Sequence, residues 1–292
     1  MLIFAYRRLK IQKINVNSFT AHPKLLALHK MNGMRIGIVG CGNLGMALLK
    51  GIHEHNNNIQ LMGSKRSIEG LPDLGPNVQF TKDNTELIKH SDILILALKP
   101  YTILNFLEEH SAHLRPDQHT VVSAATGVML EAMAEKIGND IGMYRAMPNT
   151  AAMVNESVTM ISGNVDPLNR REEVVNLFSH LGTTLHIDES LMDSATILGA
   201  CGVAYVLRFM RAMIQGGIEV GFDSETATKI VSQTMKGAAE LIIQSGNHPE
   251  AEIDRVTTPK GCTIRGLNEM EHAGFSSALI KGIVSSYEQI EK

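Results

Sequence analysis

A glycine-rich turn near the amino end constrains the fold of this chain more than any other feature. The apolar run IGIV at residues 36–39 leads into the sequence GCGNLG at residues 40–45, and a helix-like segment follows directly. A strand, a glycine turn and a helix in this order are typical of the first unit of a dinucleotide-binding sheet. Because such turns also serve helix packing alone, the prediction depends on the motif's position at the first strand of the chain.

The three motif glycines have different tasks in such a unit. Gly40 permits the tight turn, Gly42 lets a pyrophosphate approach the backbone, and Gly45 lets the helix pack closely against the strand. Asn43 and Leu44 lie in the turn, and the helix expected from Met46 onward would point its positive end at the phosphates. These five residues are therefore predicted to bind a dinucleotide cofactor.

The second predicted strand, residues 59–62, indicates which cofactor is bound. An Asp or Glu at the end of this strand would hold the ribose hydroxyls of NAD, but residues 63–66 read GSKR. The hydroxyl of Ser64 and the cations Lys65 and Arg66 suit a 2′-phosphate, and a guanidinium also stacks on adenine. NADPH is the expected cofactor, with NADH as the second choice. The alternative is a solvated basic turn without a function.

Apolar runs and helical segments alternate up to about residue 188, which predicts an α/β fold. Further strands are expected at residues 92–98, 119–124, 144–147, 158–162 and 184–187, with a helix over 167–181. Continuous apolar strands between helices are covered on both faces, as in a parallel, doubly wound sheet of the Rossmann type. Residues 34–188 would form this NADP-binding domain.

Only helical periodicity follows, so residues 189–292 are predicted to form an all-helical domain. Helix breaks are expected at residues 216–217, 221–223 and 246–249. The opening helix, residues 191–220, is apolar around most of its circumference and must be buried on nearly every side. Because so small a domain cannot wrap this helix, a second copy of the chain is expected to cover part of it.

Composition limits the partners and the compartment. A formal net charge of −3 gives no overall positive field for nucleic acid. The longest strongly apolar uncharged stretch, residues 194–207, is shorter than the ~18 residues of a membrane-spanning helix. The three distant cysteines predict neither disulfides nor a metal site, which fits a reducing cytoplasm. The basic, acid-free residues 1–33 fit a transit peptide or, as we favour, sequence upstream of the true start.

Two strand ends are candidates for cofactor contact, because ligands bind at the carboxyl edge of doubly wound sheets. One lies at residues 97–100, where a proline ends the strand and shapes the loop, and the other at residues 147–149. A solvent-exposed lysine and a plain turn are the alternatives. The candidate residues are Ala97, Leu98, Lys99, Pro100, Met147, Pro148 and Asn149.

A threonine-rich segment, residues 257–263, concentrates hydroxyl groups and backbone amides just before a helix-like run. Such an arrangement can bind a small carboxylate without a buried arginine. An ordinary helix cap is the alternative interpretation.

Four segments resemble the pyrroline-5-carboxylate reductase family in order and spacing. They are GIVGCGNLG at residues 37–45, ALKP at 97–100, MPNT at 147–150 and TPKGCTIRGL at 258–267, and the last is the family's signature. The resemblance covers the chain from about Met34 to its carboxyl end. It implies reduction of 1-pyrroline-5-carboxylate to L-proline with NAD(P)H, by a Rossmann domain and a helical dimerisation domain. Family members also build rings of dimers.

The resemblance also implies residue roles. The threonine-rich segment would hold the substrate carboxylate, Thr263 would be the catalytic hydroxyl beside the ring nitrogen, and residues 147–149 would border the nicotinamide. The sequence departs from the family at Lys260, where Gly is usual, at Thr126, where Ala is usual, and at residues 200–203, which read ACGV instead of Gly-Ser-Gly-Pro. The implied substrate-binding residues are Thr257, Thr258, Lys260, Gly261, Cys262 and Thr263.

Two other functions are compatible with the two-domain plan. An NADP-dependent short-chain hydroxyacid or ketoacid dehydrogenase would carry a catalytic lysine on the first long helix of the second domain, but residues 191–220 contain neither Lys nor His. Ketone reduction, which needs a proton donor at oxygen, is thereby disfavoured. A non-catalytic NADP-binding regulator would keep the cofactor turn, and the intact threonine-rich segment argues against it.

Overall fold

The computed structural model describes residues 33–56 and 58–290, so the expectation for the amino-terminal extension lies almost entirely outside the described residues. The strands are β1 (Arg35–Val39), β2 (Gln60–Ser64), β3 (Val78–Thr81), β4 (Ile93–Leu96), β5 (Thr120–Ser123), β6 (Gly142–Met147), β7 (Ser157–Gly163) and β8 (Gly182–His186). The α-helices are α1 (Asn43–His55), α2 (Asn84–Lys89), α3 (Pro100–His110), α4 (Leu130–Ile137), α5 (Arg171–Ser179), α6 (Met192–Thr196), α7 (Gly202–Glu219), α8 (Ser224–Ser245), α9 (Pro249–Val256), α10 (Cys262–His272) and α11 (Phe275–Ile290).

The eight strands found in the described residues form one sheet in the order β3-β2-β1-β4-β5-β6-β7-β8. The first six pair in parallel, as predicted, but β7 runs antiparallel to β6 and parallel to β8. The prediction of a wholly parallel sheet is therefore wrong at this edge. Only residues 148–156 join β6 to β7, and a parallel crossover needs about a dozen residues or more.

The strand order reverses at β1, which lies between β2 and β4. In a doubly wound sheet this switch point opens a crevice at the carboxyl ends of the strands, and ligands bind there. The crevice brings the glycine turn after β1 next to the ends of β2 and β4. The fold thus assembles three segments that the sequence singled out separately.

Two local predictions need correction. Strand β3 was not predicted, because its four residues VQFT alternate in polarity and lie at the sheet edge, where burial is only partial. Pro100 was expected to shape a loop, but it is the first residue of α3, directly after β4. Proline is well suited to that position because its fixed φ is helical and its missing N–H is not needed there.

Helices cover both faces of the sheet. One apolar cluster joins α1 and α5 to β1, β2 and β4 through side chains such as Leu48, Ile52 and Phe178. A second cluster joins α2, α3 and α4 to the opposite face through side chains such as Leu87, Leu107 and Met133. This two-sided burial explains why the central strands read as continuous apolar runs.

The carboxyl-terminal third of the described chain is helical, as predicted. A short 3-10 turn (Glu189–Leu191), α6, a π-helical segment (Ile197–Cys201) and α7 follow one another without a break. The expected break at residues 216–217 is wrong, because α7 continues through both glycines. The breaks near residues 221–223 and 246–248 are confirmed.

The long helical stretch 189–219 is covered by little of its own chain. Its buried contact with α8 centres on Ile214, Ala227 and Val231, whereas Leu198 and Leu207 are 65% and 57% exposed. By length and composition alone, this stretch is the one described helix that could cross a membrane. Its uncharged part is residues 194–207, between Asp193 and Arg208, as the sequence analysis gave it.

A buried histidine ties the amino ends of the central strands to their connecting segments. His119 accepts the backbone N–H of Arg115 at Nδ1, over 2.8 Å, and its Nε2 lies 3.1 Å from the carbonyl oxygen of Ile88. The ring is therefore neutral with its proton on Nε2. Burial lowers the pKa of His119, and the nearby Arg115 and Arg170 lower it further, against the opposing effects of the Ile88 carbonyl and Asp92.

The neutral state of His119 makes folding stability depend on pH. In the unfolded chain, the imidazole of His119 takes up a proton near pH 6.5. In the folded chain, it takes up the proton only at a lower pH. The contribution of neutral His119 to the free energy of unfolding is thus complete above pH 6.5. It is lost as the pH falls below this value, at up to about 1.4 kcal/mol per pH unit. We expect the free energy of unfolding, measured by urea denaturation between pH 7.5 and 5, to fall less steeply in His119→Asn. The exposed His272→Asn should keep the steeper slope of the unaltered chain, and equal slopes in all three proteins would contradict the assignment.

Candidate active site

A cavity of about 770 Å³ opens at the switch point of the sheet. The glycine turn forms its floor, residues 64–67 after β2 form one wall, and residues 97–109 at the end of β4 and on α3 form the other. Its lining contains these predicted cofactor residues: Gly40, Gly42, Ser64, Lys65, Arg66, Ala97, Leu98 and Lys99. Pro100 adjoins the lining but does not belong to it.

The glycine turn is tightly packed at Gly40 and Gly45 but open at Gly42. Gly40 has a φ of +93°, and a Cβ there would lie 2.7 Å from the carbonyl oxygen of Ala97. A Cβ at Gly45 would collide with the carbonyl oxygen of Gly40, so the missing side chain lets α1 approach the strand end closely. Gly42 is different, because a Cβ there meets nothing within 4 Å. The space in front of Gly42 is open, and a ligand can approach its backbone.

Hydrogen bonds fix this turn to the next strand. The amides of Gly40 and Cys41 both donate to the carbonyl oxygen of Ser64, over 3.1 and 2.8 Å. Cys41 is buried within the turn, where desolvation raises the pKa of its thiol to about 11. The Cys41 side chain packs in the apolar core on the α1 side of the sheet. The following amides, from Asn43 onward, begin α1, where no side chain caps the helix end.

The wall after β2 is basic. Lys65 and Arg66 are exposed to the cavity, and Lys82, which the sequence analysis did not identify, adds a third cation. Ser64 is buried, and its hydroxyl donates to Asn84 Oδ1 over 2.7 Å. The hydroxyl oxygen retains its acceptor capacity but has already used its proton, so the cations are the principal groups for an anion.

A second cavity of about 300 Å³ lies on the other side of the first turn of α1. Asn43 and Leu44 line it together with Met147, Pro148 and Asn149 at the end of β6, and Ala200 reaches it from the helical part of the chain. None of its described lining residues carries an ionisable side chain. These residues therefore offer no acid or base to a reaction in the cavity. They can contribute only by holding the reactants in position.

Asn149 holds the walls of the second cavity in place. Its Oδ1 accepts the N–H of Ala151, and its Nδ2 donates to the carbonyl oxygen of Gly199 over 2.9 Å. Gly199 belongs to the π-helical segment Ile197–Cys201. Asn149 thus links the sheet to the helical domain, a role that the sequence did not indicate, while its contact with the nicotinamide stays a prediction.

A buried arginine two residues before Met147 was missed by the sequence analysis. Arg145 is 1% exposed, and its guanidinium lies 3.1 Å from Glu189 Oε1 and 3.5 Å from Asp193 Oδ1. Glu189 Oε1 also accepts the backbone N–H of Leu130, over 2.7 Å. This ion cluster joins β6, the start of α4 and the start of the helical domain beside the second cavity.

The threonine-rich segment lies away from both cavities within one chain. Neither described lining contains any of residues 257–263. Thr258, Lys260, Cys262 and Thr263 are exposed, while Thr257 and Gly261 are partly exposed. The helix that follows, α10, packs chiefly against α11. A single chain therefore does not bring this segment to the glycine turn.

The backbone of this segment forms a tight turn. The N–H of Gly261 donates to the carbonyl oxygen of Thr258 over 2.9 Å, and Lys260 has a φ of +61°. Pro259 second and a left-handed residue third are the features of a type II turn, which favours glycine at the third place. This turn explains why glycine is usual at the position of Lys260 in the family that the sequence resembles. In this chain a lysine adopts the left-handed backbone conformation at that position.

A metal site requires several ligating side chains close together. Among the described residues, no group of three or more His, Cys, Asp or Glu side chains could hold a metal ion. The three cysteines are free.

Family models match two parts of the chain. A model described as pyrroline-5-carboxylate reductase dimerisation matches residues 189–292. A model described as NADP oxidoreductase, coenzyme F420-dependent, matches residues 35–140.

Relatives that match most of this chain are named pyrroline-5-carboxylate reductase. Pyrroline-5-carboxylate reductase 2 of Dictyostelium discoideum is 37% identical over 92% of this chain and 96% of its own length. Pyrroline-5-carboxylate reductase of Escherichia coli K12 is 32% identical over 88% of this chain and 97% of its own length. Pyrroline-5-carboxylate reductase 1 of D. discoideum is longer, and the 36% identical match covers 48% of it.

Solved structures agree with these relatives. Plasmodium falciparum pyrroline carboxylate reductase with NADP bound has a TM-score of 0.79 and 27% identity, covering 89% of this chain and 98% of that one. The 1-pyrroline-5-carboxylate reductase of Streptococcus pyogenes has a TM-score of 0.78 and 28% identity over the same shares.

Proposed function

The chain belongs to the pyrroline-5-carboxylate reductase family and reduces 1-pyrroline-5-carboxylate; from this premise we propose that it uses NADPH and completes each active site with a second copy of itself. The observation that carries this proposal is the separation, within one chain, of the cofactor cavities from the threonine-rich segment. The product of the reduction is L-proline.

The residues around the larger cavity fit a dinucleotide. The pyrophosphate would lie against Gly42 and the first turn of α1, where the missing Cβ leaves open space and the helix end attracts an anion. Ala97, Leu98 and Lys99 would adjoin the ribose, with Pro100 holding their turn, and residues 147–149 would border the nicotinamide. When bound, NADPH supplies the hydride.

The basic wall supports NADPH over NADH. Lys65 and Arg66 would bind the 2′-phosphate, and hydrogen bonds to a charged group are worth enough that their loss costs about tenfold in affinity or more. We expect Lys65→Ala with Arg66→Ala to raise the KM for NADPH by about tenfold or more and to change the KM for NADH far less. Lys89→Ala, which removes an exposed cation outside the cavity lining, is the matched control. Equal changes for both cofactors would count against a 2′-phosphate site.

A second copy of the chain would supply the substrate segment. Residues 189–292 match a dimerisation domain, and the exposed apolar side of α7 is the surface that such an association would bury. A two-fold dimer exchanges equivalent surfaces, so the exposed threonine-rich segment of one copy can reach the second cavity of the other. Thr257, Thr258, Lys260, Gly261 and Cys262 would then bind the substrate carboxylate by hydroxyl and amide groups.

The chemistry needs few ionisable groups. The cyclic imine is basic enough to be protonated in water, and the iminium carbon is already electrophilic. The hydroxyl of Thr263 would hydrogen-bond the ring nitrogen, and the uncharged walls of the second cavity would orient the ring and exclude water. Orientation of this kind contributes on the order of 7 to 11 kcal/mol in favourable model reactions.

One assay separates this function from its rivals. NADPH oxidation is measured with 1-pyrroline-5-carboxylate, with a cyclic imine one carbon larger and with an open-chain ketoacid. We expect turnover with the five-membered imine and little with the ketoacid. Preference for the ketoacid would support a hydroxyacid dehydrogenase, and NADPH binding without any turnover would support a regulator. The cytoplasmic location stays a prediction that fractionation of cells can test.

A further inference from the structure

One face of α3 lines the cofactor cavity without belonging to the predicted cofactor residues. Tyr101, Asn105 and Glu109 follow each other at intervals of four along this helix, which places them on one face, and all three line the cavity. All three are exposed, whereas Ile103 and Leu107 on the opposite face are buried in the core. The fold does not need the exposed face for packing.

Tyr101 is the most unusual residue of this face. Its side chain is 79% exposed, although an aromatic ring normally contributes by burial. Among the described residues, neither its hydroxyl nor the side-chain amide of Asn105 makes a hydrogen bond. Both groups border the cavity with their binding capacity unused.

Charge orients a nucleotide in this cavity. Lys65, Arg66 and Lys82 lie on the wall after β2 and β3, while Glu109 lies on the α3 wall, farther along the helix. The 2′-phosphate therefore belongs to the basic wall, whereas the pyrophosphate belongs to the glycine turn. The base attached to the same ribose must then occupy the space between that wall and α3.

We propose that Tyr101 and Asn105 form the adenine-recognition face of the cofactor site, with the base stacked between the Tyr101 ring and the Arg66 guanidinium. This inference rests on the proposed use of NADPH. Aromatic rings and guanidinium groups both stack on the face of a base. The amide of Asn105 offers a donor beside an acceptor, which matches the N6 amino group and N7 of adenine. Hypoxanthine replaces that amino group by a carbonyl and cannot pair in this way.

The test measures binding to the protein without the reaction. Calorimetric titration with adenosine 2′,5′-bisphosphate gives the Kd for the unaltered chain, Tyr101→Ala and Tyr101→Phe. Loss of a stacked ring should raise the Kd by about fivefold or more in Tyr101→Ala, and Tyr101→Phe should stay within about twofold because it keeps the ring. Val165→Ala, at a residue 87% exposed and outside the cavity lining, is the control. Since the chain has no tryptophan, tyrosine fluorescence reports the contact directly, and Tyr101→Phe should lose part of the quenching seen on binding.

The same titration with inosine 2′,5′-bisphosphate tests Asn105. The unaltered chain should bind the adenosine compound more tightly, and Asn105→Ala should bind both compounds equally. An unchanged Kd in Tyr101→Ala, or a preference for adenosine that survives in Asn105→Ala, would overturn the inference. If the unaltered chain binds adenosine 5′-monophosphate as tightly as the bisphosphate, the NADPH proposal fails instead, and the variants are then compared with the monophosphate.

Discussion

Replacing Arg145 with methionine is expected to lower the free energy of unfolding of the sheet domain by about 3 kcal/mol. Removing one partner of a buried ion pair costs about 3–5 kcal/mol, because the remaining charge loses its compensation. The lower value applies here because Glu189 and Asp193 keep side-chain exposures of 25% and 29%. Methionine fills a comparable volume, so the loss reports the charge and its hydrogen bonds rather than a void.

The measurement is urea denaturation followed by circular dichroism, with Arg115→Met as the matched control. Arg115 also pairs with a carboxylate, Asp117, but the two side chains are 62% and 80% exposed, and such surface pairs contribute about 0–1 kcal/mol. We expect the control to stay within that range. A loss in Arg145→Met no larger than in the control would show that the buried cluster contributes little to stability.

Arg145→Met is also expected to impair catalysis. Its strand runs directly into residues 147–149, and its carboxylate partners begin the helical domain. Loosening this junction displaces one wall of the second cavity, so kcat should fall in enzyme that is still folded. This coupling of stability and activity distinguishes Arg145 from an ordinary core residue.

Sequence reasoning succeeded where local pattern and local physics coincide. The GxGxxG motif predicted a strand, a tight turn and a closely packed helix, because each glycine meets a steric requirement set within a few residues, as the close approach of Gly45 to Gly40 illustrates. The apolar helix at residues 191–220 likewise predicted an uncovered surface, and Leu198 and Leu207 are exposed. In both cases the evidence lies within one segment of the chain.

It failed where a residue acts through distant partners. Arg145 looked like a strand residue, and nothing local indicates that its partners are Glu189 and Asp193, more than 40 residues later. The bracket from Asn149 to Gly199 spans 50 residues. A charged residue inside an otherwise apolar strand was the one available signal, since such a side chain must find a partner when buried.

Replacing Thr263 with alanine is expected to lower kcat by about tenfold or more, near the low end of acid–base contributions, while leaving the Kd of NADPH unchanged. The hydroxyl is proposed to hydrogen-bond the ring nitrogen, and the residue lies outside the described lining of the cofactor cavity. Thr183→Ala, at an exposed threonine on β8, is the control and should keep its kcat. An unchanged kcat in Thr263→Ala would remove this residue from the mechanism.

A cofactor-defective variant with an intact fold makes a sharper experiment possible. Gly42→Val places side-chain atoms where a Cβ meets no protein atom within 4 Å, and Gly42 has an extended backbone with a φ of −81°. The substitution should therefore fold while blocking the approach of the pyrophosphate. Gly45→Val would instead collide with the backbone of Gly40.

Mixing the two defective proteins decides whether the active site is shared between copies. Suppose Thr263→Ala and Gly42→Val chains are co-expressed with different tags and the doubly tagged dimer is purified. If each site combines the glycine turn of one copy with Thr263 of the other, every mixed dimer has one intact site and one doubly defective site. Its activity should approach about half that of the unaltered dimer. If each site lies within one copy, both sites of the mixed dimer carry a defect and activity stays at the level of the parents. Because residues 257–263 lie apart from both cavities, we expect the mixed dimer to be about half as active as the unaltered dimer. Activity at the level of the parents would require the threonine-rich segment to fold back onto the cavities of its own chain, and the exposure of that segment does not indicate this.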